Sequence, residues 1–381
     1  MILLIFIIVL SILILIHEFG HFIVAKRAGV KVEEFALGFP PKIFSKKIGE
    51  TIYSVNVLPI GGFVRLFGED DDPVGFSTAK APGVRLKLQA QSFFHKPMGV
   101  KLGVALAGAG MNLLLGVVIF AILYSIVGIP TSTRGYVAVS GVVEGSPAQS
   151  AGFQQFDRVL KVEDVDIKTI EDLKAEVSKN EGKEISILVD RSPVTLLAHM
   201  TIVNEDLEDV TLRVTPQQVE GAERATVGIM LADMSVTKTS FYSFPEMVIK
   251  SSWAGVRDSF VFSKTILFSL GDMVRNLVVK REVPEDVSGP VGIAVMVGEV
   301  YKFGILPLLS MVGILTLNLA VVNLLPFPGL DGARALFIVL HKATGNKIAP
   351  AIEKNIHLVG IVILLTLVAL ITVRDIGRFF N

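Results

Sequence analysis

The sequence His17-Glu18-Phe19-Gly20-His21 carries the most specific chemistry in the chain. Residues four apart on a helix share one face, so both imidazoles can bind a single Zn²⁺ while Glu18 stands beside it. Zinc lowers the pKa of its bound water to about 7, and a neighbouring carboxylate can take the proton as the oxygen attacks a carbonyl carbon. The motif therefore predicts a hydrolytic zinc site with His17 and His21 as ligands and Glu18 as the general base.

A catalytic zinc ion needs a third protein ligand and an open position for water. The remaining histidines lie outside the long apolar segments that we recognise in the sequence; they are His95, His199, His341 and His357. Asp331 is the better candidate, because Pro326 and Pro328 place irregular backbone at membrane depth just before it, which is tolerated only around a buried cavity. The alternative is that Asp331 is only the N-cap of a helix over 333–341.

The composition of the chain is that of a membrane protein, with 51% hydrophobic residues, 19% charged residues and a mean hydropathy of +0.61. A bilayer crossing takes about 20 helical residues, and four stretches qualify: 1–24, 100–128, 305–325 and 358–373. The net charge of zero argues against a nucleic-acid partner, because no basic excess is available to neutralise phosphates. The chain has no cysteine, so neither a disulfide nor a cysteine-bound metal can exist.

The depth of the histidine motif separates a metal site from ordinary polar residues in a helix. With a rise of 1.5 Å per residue, His17 lies about 24 Å from the start of the first helix, within or near the hydrocarbon. Ionisable groups at that depth are costly and mark function. The first stretch could instead be a cleaved signal peptide, but its basic residues, Lys26 and Arg27, follow the apolar run instead of preceding it.

Two asparagines near the spans are further polar candidates. We interpret Asn112 as a structural residue that makes an interhelical hydrogen bond. Asn323, eight residues before Asp331, could hold the backbone of a substrate, and the same structural role remains its alternative.

The distribution of lysine and arginine predicts the orientation of the chain. Residues 26–96 contain eleven of them and residues 1–16 contain none, which places the first loop in the cytoplasm and the N-terminus outside. With four spans, residues 130–302 and the C-terminus are then external. Arg374 and Arg378, close to the C-terminus, argue against its external placement.

The external segment is predicted to hold a small β-rich domain followed by a surface helix. Short β-type runs at 137–139, 185–189 and 210–212 alternate with turn residues, and a helical stretch covers 170–178. Residues 245–279 are apolar but frequently charged, as expected for a helix lying on a membrane. We therefore divide the chain into spans one and two with the cytoplasmic loop (1–129), the external domain (130–235), the surface helix and connector (236–302), and spans three and four (303–381).

The cytoplasmic loop contains two β-rich runs, 51–58 and 61–67, joined near Gly61 and Gly62. This pattern predicts a hairpin dipping toward the site. A helix must be unwound before it can be cut, and a sheet edge formed by Gly61, Gly62, Phe63 and Val64 could hold the extended peptide. An ordinary cytoplasmic hairpin fits the same pattern.

Together these residues resemble the site-2 protease family, in particular the bacterial regulator of sigma E protease type, over nearly the whole chain. The segments that carry the resemblance are 17–21, 35–41, 49–51, 58–64, 68–70, 288–292 and 323–334. The resemblance implies that His17, His21 and Asp331 bind zinc and that Glu18 is the general base. It also implies that Asn323 helps to position substrate and that the strand at 61–67 pairs with it.

The chain departs from the family pattern in the second span, where Gly108-Ala109-Gly110-Met111-Asn112 lacks the proline of the usual Gly-Pro-x-x-Asn. No catalytic atom is lost, so we expect an altered helix and not an inactive enzyme.

The external domain resembles a PDZ domain through the segments 145–148, 151–153 and 157–160. A glycine is expected where Phe156 stands, and Asn-Gly where Val165-Asp166 stands. In the family such domains restrict access to substrates already trimmed outside.

These observations predict a multi-pass α-helical protein of the cell membrane, in contact with lipid, that hydrolyses single-span membrane proteins. An anti-sigma factor first cut by another protease, or a signal-peptide remnant, would be a suitable substrate. A zinc transporter or sensor is the main alternative, but it would have no need of Glu18 as a base. A scaffold acting through the PDZ-like domain would leave the histidine motif unexplained.

Overall fold

The computed structural model describes residues 2–69, 82–192, 194–197, 200–203, 209–217, 226–280, 288–345 and 350–380. Its helices in chain order are α1 (Ile2–Arg27), α2 (Pro82–Gln91), α3 (Met98–Val127), α4 (Pro147–Ala151), α5 (Ile170–Lys179), α6 (Glu246–Lys280), α7 (Pro290–Lys302), α8 (Ile305–Leu324), α9 (Asp331–Thr344) and α10 (Pro350–Phe380). Its strands are β1 (Val32–Ile48), β2 (Thr51–Leu66), β3 (Ile129–Val142), β4 (Arg158–Val162), β5 (Val165–Asp166), β6 (Ile185–Asp190), β7 (Val194–Leu196), β8 (Thr201–Val203), β9 (Asp209–Val214) and β10 (Ile229–Ser240).

The chain forms two units, which we call the helical unit (residues 1–122 and 252–381) and the β unit (residues 123–251). Helices α1, α3, α8 and α10 are long and apolar enough to cross a membrane, which confirms the expectation of a polytopic membrane protein. The fourth apolar helix is longer than the sequence suggested. Its membrane-compatible part begins at Ile352, so His357 lies inside it, and our placement of this histidine outside the spans was wrong.

Helices α1 and α3 approach closely because small residues meet at their crossing. A Cβ on Gly20 would overlap the Ala107 carbonyl oxygen and lie 2.9 Å from Met111 Cβ. Without a hydrophobic driving force in lipid, such close backbone contact is a main source of helix–helix stability. The glycine inside the histidine motif therefore sets the distance between the motif and α3.

Strands β1 and β2 form the antiparallel sheet of the helical unit, but their pairing differs from the predicted hairpin. The runs 51–58 and 61–67 do not pair with each other in the described register. Both pair with β1, since Leu37 is opposite Val55 in one run and Gly62 in the other, and the tight turn lies between Ile48 and Thr51. Gly61 has a φ of 104°, a conformation that glycine adopts readily, and lets β2 bend back along β1.

The β unit contains the predicted β-type runs in β3, β6 and β9 and the predicted helix in α5. Its strands follow the order β7-β8-β10-β3-β4-β6-β9, with β5 paired to β4. Alternate residues of β6 point into a core that also takes side chains from β3 and β4, among them Val137, Val159, Ile187 and Val189. The side chain of Thr169 caps α5 through a reciprocal pair of hydrogen bonds with Asp172.

Helix α6 is a single helix of 35 residues. Its exposed side chains combine large apolar groups with charges, and the exposed apolar ones include Ile249, Trp253, Phe260 and Phe268.

Candidate metal centre

Three ligand atoms from two distant parts of the sequence, α1 and the start of α9, converge in the helical unit. Nε2 of His17 lies 3.0 Å from Oδ2 of Asp331, Nε2 of His21 lies 3.2 Å from the same oxygen, and the two Nε2 atoms are 3.2 Å apart. In tetrahedral coordination with bonds of about 2.0–2.1 Å, ligand atoms are separated by about 3.3 Å. The near-equilateral triangle therefore has the size that one zinc ion requires.

Two observations show that this triangle fits a cation. Asp331 Oδ2 is buried and accepts no hydrogen bond, an arrangement that leaves its lone pairs available between two imidazoles. Gly108 on α3 leaves the space in front of the histidines open. A Cβ at this position would overlap His21 Nε2 and lie 2.6 Å from His17 Nε2. The donor set of two imidazoles and one carboxylate is one that catalytic zinc sites use.

The other ring nitrogen of each histidine is held by α3. His21 Nδ1 donates to the Val104 carbonyl oxygen at 2.7 Å, which leaves Nε2 unprotonated for a metal. His17 Nδ1 lies 3.2 Å from the buried Asn112 amide, whose Oδ1 has no partner as oriented. A half-turn of the amide brings Oδ1 to the ring as the acceptor of the Nδ1 hydrogen, and the two orientations differ only in the O and N assignment.

Asn112 makes the interhelical hydrogen bond that the sequence suggested, but its partner is a candidate metal ligand. Sequence reasoning missed this role, and although it named Gly108 in the second span it missed the contact of this glycine with the histidines. The available signal was their spacing: four residues apart on a helix, Gly108 and Asn112 share the face that α3 turns toward the histidines. Thr316 of α8 donates to the Asn112 carbonyl at 3.2 Å and ties this face to a third helix.

The break between α8 and α9 presents Asp331 as the first residue of α9. Leu330 occupies the N-cap position without a side-chain hydrogen bond, so the capping interpretation of Asp331 was wrong. The preceding turn is braced by α10, because the Gly329 amide donates to His357 Nδ1 at 3.1 Å. Gly332 lets α9 begin directly against α8, since a Cβ there would overlap the Leu324 carbonyl oxygen.

The other predicted site residues lie at varying distance from the triangle. Gly62 is beside the motif, because a Cβ added to it would lie 3.5 Å from Cγ of Glu18. Gly61, Phe63 and Val64 belong to the same segment of β2, where Phe63 and Val64 pair with β1. Asn323 is half-buried in the last turn of α8.

Membrane-compatible helices together with a histidine–histidine–carboxylate triangle fit the class of intramembrane zinc metalloproteases. The chain belongs to peptidase family M50, the site-2 protease family, whose sequence model matches residues 5–367. It is therefore a zinc metalloprotease, and Zn²⁺ is its cofactor.

Several bacterial proteins are similar over almost their full length. A putative zinc metalloprotease of Clostridium perfringens is 33% identical over 370 residues, which cover 96% of each chain. One of Clostridium acetobutylicum is 30% identical over 369 residues, covering 96% of this chain and 94% of its own. The regulator of sigma-W protease RasP of Bacillus subtilis is 28% identical over 443 aligned residues, covering 98% of both.

Proposed function

We propose that His17, His21 and Asp331 hold the zinc ion and that Glu18 is the general base for hydrolysis of peptide bonds within or near the transmembrane segment of single-span membrane proteins. The observation that carries this proposal is the triangle of ligand atoms with sides of 3.0–3.2 Å, one corner of which is a carboxylate oxygen that accepts no hydrogen bond.

The proposed roles follow from the chemistry of each side chain. When bound, zinc supplies Lewis acidity toward water and the scissile carbonyl group. Glu18 accepts the proton of the attacking water on its carboxylate and returns it to the leaving amide nitrogen. Val104 and Asn112 hold the imidazoles in the tautomer that directs Nε2 to the metal.

We propose that the segment 61–64 of β2 binds the unwound substrate by strand addition. This segment is paired to β1 along one edge, and Gly62 lies beside Glu18. Main-chain hydrogen bonds to a sheet edge would hold a peptide extended next to the base. We also propose that Asn323, eight residues before Asp331, binds the backbone of the substrate.

The substrate class and the sidedness are proposed on the same basis. The name of the Bacillus subtilis relative, regulator of sigma-W protease, supports an anti-sigma factor as the substrate. The basic residues of 26–96 support a cytoplasmic β1–β2 sheet and an external β unit. Single cysteines placed in this cysteine-free chain test the orientation: Ser45 should react with an impermeant thiol reagent only from the cytoplasm, and Ser178 only from outside.

We propose that the β unit is PDZ-like and limits access by large substrates. Its backbone supports the first part, since Phe156 has a φ of 75° at the position where PDZ sequences have glycine. The chain offers a clean deletion, because Gly135 and Ser235 are paired neighbours in the β3–β10 ribbon. Replacing residues 136–234 by a two-residue turn should leave zinc bound and allow cleavage of substrates with untrimmed external domains. Loss of cleavage of a trimmed substrate would instead indicate capture of substrate tails by this unit.

The decisive experiment is co-expression with a panel of tagged single-span proteins. Wild-type protein should produce fragments, and Glu18→Gln should reduce their formation at least about 100-fold while zinc stays bound. Glu33→Gln, which removes a carboxylate outside the site, is the matched control and should cleave normally. Zinc binding in wild type without any fragment across the panel would favour the transporter or sensor function.

A further inference from the structure

The first turn of α9 carries a second charged side chain that faces the β1–β2 sheet. Asp331 and Arg334 are three residues apart, so their side chains lie on neighbouring parts of one helix face. Asp331 reaches the histidines, and Arg334 forms an ion pair through Nη1 with Oε1 of Glu69, in the turn that follows β2.

Both partners of this ion pair are fixed by other contacts. The second oxygen of Glu69, Oε2, accepts the backbone N–H of Leu66 at 3.1 Å, so the carboxylate is tied to the last residue of β2. The guanidinium carbon of Arg334 lies 5.7 Å from the centre of the Phe93 ring. Side chains of Glu69 and Arg334 are 16% and 33% exposed, which shields the pair from much of the solvent screening that weakens surface ion pairs.

The pair stands at a junction of three segments. The backbone N–H of Phe93 donates to the carbonyl oxygen of Phe67 at 2.8 Å, and the backbone N–H of Phe94 donates to the carbonyl oxygen of Gly68 at 2.9 Å. These bonds join the turn after β2 to the segment that leads into α3, and Arg334 adds α9 to the junction. The end of β2, the approach to α3 and the helix that begins at Asp331 are therefore linked at one point.

We infer that Glu69 and Arg334 are positioning residues, which hold the segment 61–66 of β2 in register with the Asp331 end of the metal centre. The mechanical part of this inference rests on the contacts above, and its catalytic part rests on the proposed function. A peptide added along 61–64 must present its scissile carbonyl to zinc and to Glu18 at once. A displacement of about 1 Å between a substrate and its catalytic groups lowers rates up to about 100-fold.

The mechanical part is tested by spin labels on cysteines at Arg65 and Lys342, which are exposed on β2 and α9. Electron paramagnetic resonance, by pulsed or line-broadening measurement, then reports the distribution of distances between the label on β2 and the label on α9 in the full-length protein. Glu69→Gln keeps an oxygen for the Leu66 amide but removes the charge, and it should broaden the distribution. The exchanged pair Glu69→Arg with Arg334→Glu should narrow it again in part. Glu299→Gln, which breaks an exposed ion pair with Lys302, is the matched control and should change nothing.

The catalytic part is tested on the unlabelled variants. Glu69→Gln should lower kcat about 10- to 100-fold with zinc content unchanged, and the exchanged pair should recover part of the loss. Unchanged distances and unchanged kcat in Glu69→Gln would overturn the inference while leaving the proposed function intact. A narrow distribution combined with a lower kcat would also overturn it, because the charge would then act by a route other than positioning. A wild-type protein that holds zinc and cleaves no substrate would contradict the proposed function instead, and the distance measurement would still decide the mechanical part.

Discussion

Two carboxylates with buried oxygens, Asp190 in the β unit and Asp331 in the helical unit, are surrounded in opposite ways. Asp190 in the β unit accepts hydrogen bonds from the backbone and hydroxyl of Ser192 and from Nε and Nη2 of Arg158, so both of its oxygens are satisfied. Asp331 in the helical unit has an oxygen, Oδ2, that is buried and accepts no hydrogen bond.

The contrast teaches how a structural carboxylate differs from a ligand. Burying a carboxylate is costly unless hydrogen bonds or an opposite charge offset the lost hydration. The protein provides that compensation for Asp190 through Arg158 and Ser192. For Asp331 it provides two imidazoles whose other nitrogens are already engaged, and a cation would complete the arrangement.

The largest effect is expected from adding one methyl group at the metal centre. Gly108→Ala would put a Cβ onto His21 Nε2 and against His17 Nε2, so zinc binding and cleavage should both be lost. Gly110→Ala, the same change on the same helix, meets nothing within 4 Å and should be tolerated. Zinc content by mass spectrometry compares the two variants. Full zinc content in Gly108→Ala would mean that the histidines bind metal in another arrangement.

The next effect concerns the satisfied carboxylate. Asp190→Asn leaves the buried Arg158 charge without its counterion, which costs about 3–5 kcal/mol. Amide hydrogen exchange should accelerate in β4 and β6, while zinc binding in the helical unit is retained. Asp166→Asn, in a pair whose side chains are 46% and 68% exposed, should change exchange little. Loss of zinc in Asp190→Asn would contradict the contrast between the two carboxylates, because Asp190 would then also be needed for zinc binding.

Because of Asp190, the stability of the β unit is expected to depend on pH. Burial raises the pKa of its carboxyl. Hydrogen bonds from Ser192 and Arg158 together lower this pKa by more than burial raises it, so the net pKa lies below its usual range. The charged form therefore stabilises the β unit above the unfolded pKa of about 3.9, and this contribution is lost as pH falls through the lower folded pKa. Exchange in β6 should accelerate on acidification below about pH 4, and the Asp190→Asn variant should lack this component.

A smaller effect is expected from the support of His17. Asn112→Leu removes the acceptor for the Nδ1 hydrogen, and changes in such supporting groups lower metal affinity about 10- to 100-fold. Asn112→Asp keeps an acceptor and should bind zinc more tightly than the leucine variant. Competition with a chelator of known affinity measures both. Equal affinities in the two variants would assign Asn112 to helix packing alone.

The smallest effect lies in the backbone of the β unit. Phe156 has a φ of 75°, which side-chain-bearing residues adopt at a cost of about 1–2 kcal/mol. Phe156→Gly and Phe156→Ala both remove the ring, but only glycine removes the strain. The glycine variant should therefore be more stable than the alanine variant by about 1 kcal/mol, as measured by hydrogen exchange in β4. An alanine variant of equal stability would show that no strain is present at this position.

Local patterns predicted much of this protein, and contacts between distant segments account for what they missed. The apolar helices follow from the length and apolar composition of four stretches, and the motif at 17–21 follows from residue spacing within one helix. Asp331 could be predicted as a ligand because prolines at membrane depth place irregular backbone there, which is tolerated only around a buried cavity. The contact between Asn112 and His17 joins residues 95 positions apart and depends on how closely α1 and α3 cross, which a single sequence does not specify.

The β1–β2 sheet shows the same limit. Their β-rich composition identified both strand runs of 51–67, and the glycines suggested a turn between them. Which strand each run pairs with depends on β1, whose residue Leu37 has a partner in both runs. Glycine chemistry alone does not distinguish a hairpin turn from a bend within a longer strand.

The zinc content of the purified protein tests the central claim most directly. Wild type and Glu18→Gln should each hold about one zinc per chain, since neither loses a ligand. Asp331→Ala should hold much less, while Asp272→Ala, which removes an exposed carboxylate of α6, should keep its zinc. A full complement of zinc in Asp331→Ala would contradict the account, because the third ligand would then have to come from elsewhere in the chain.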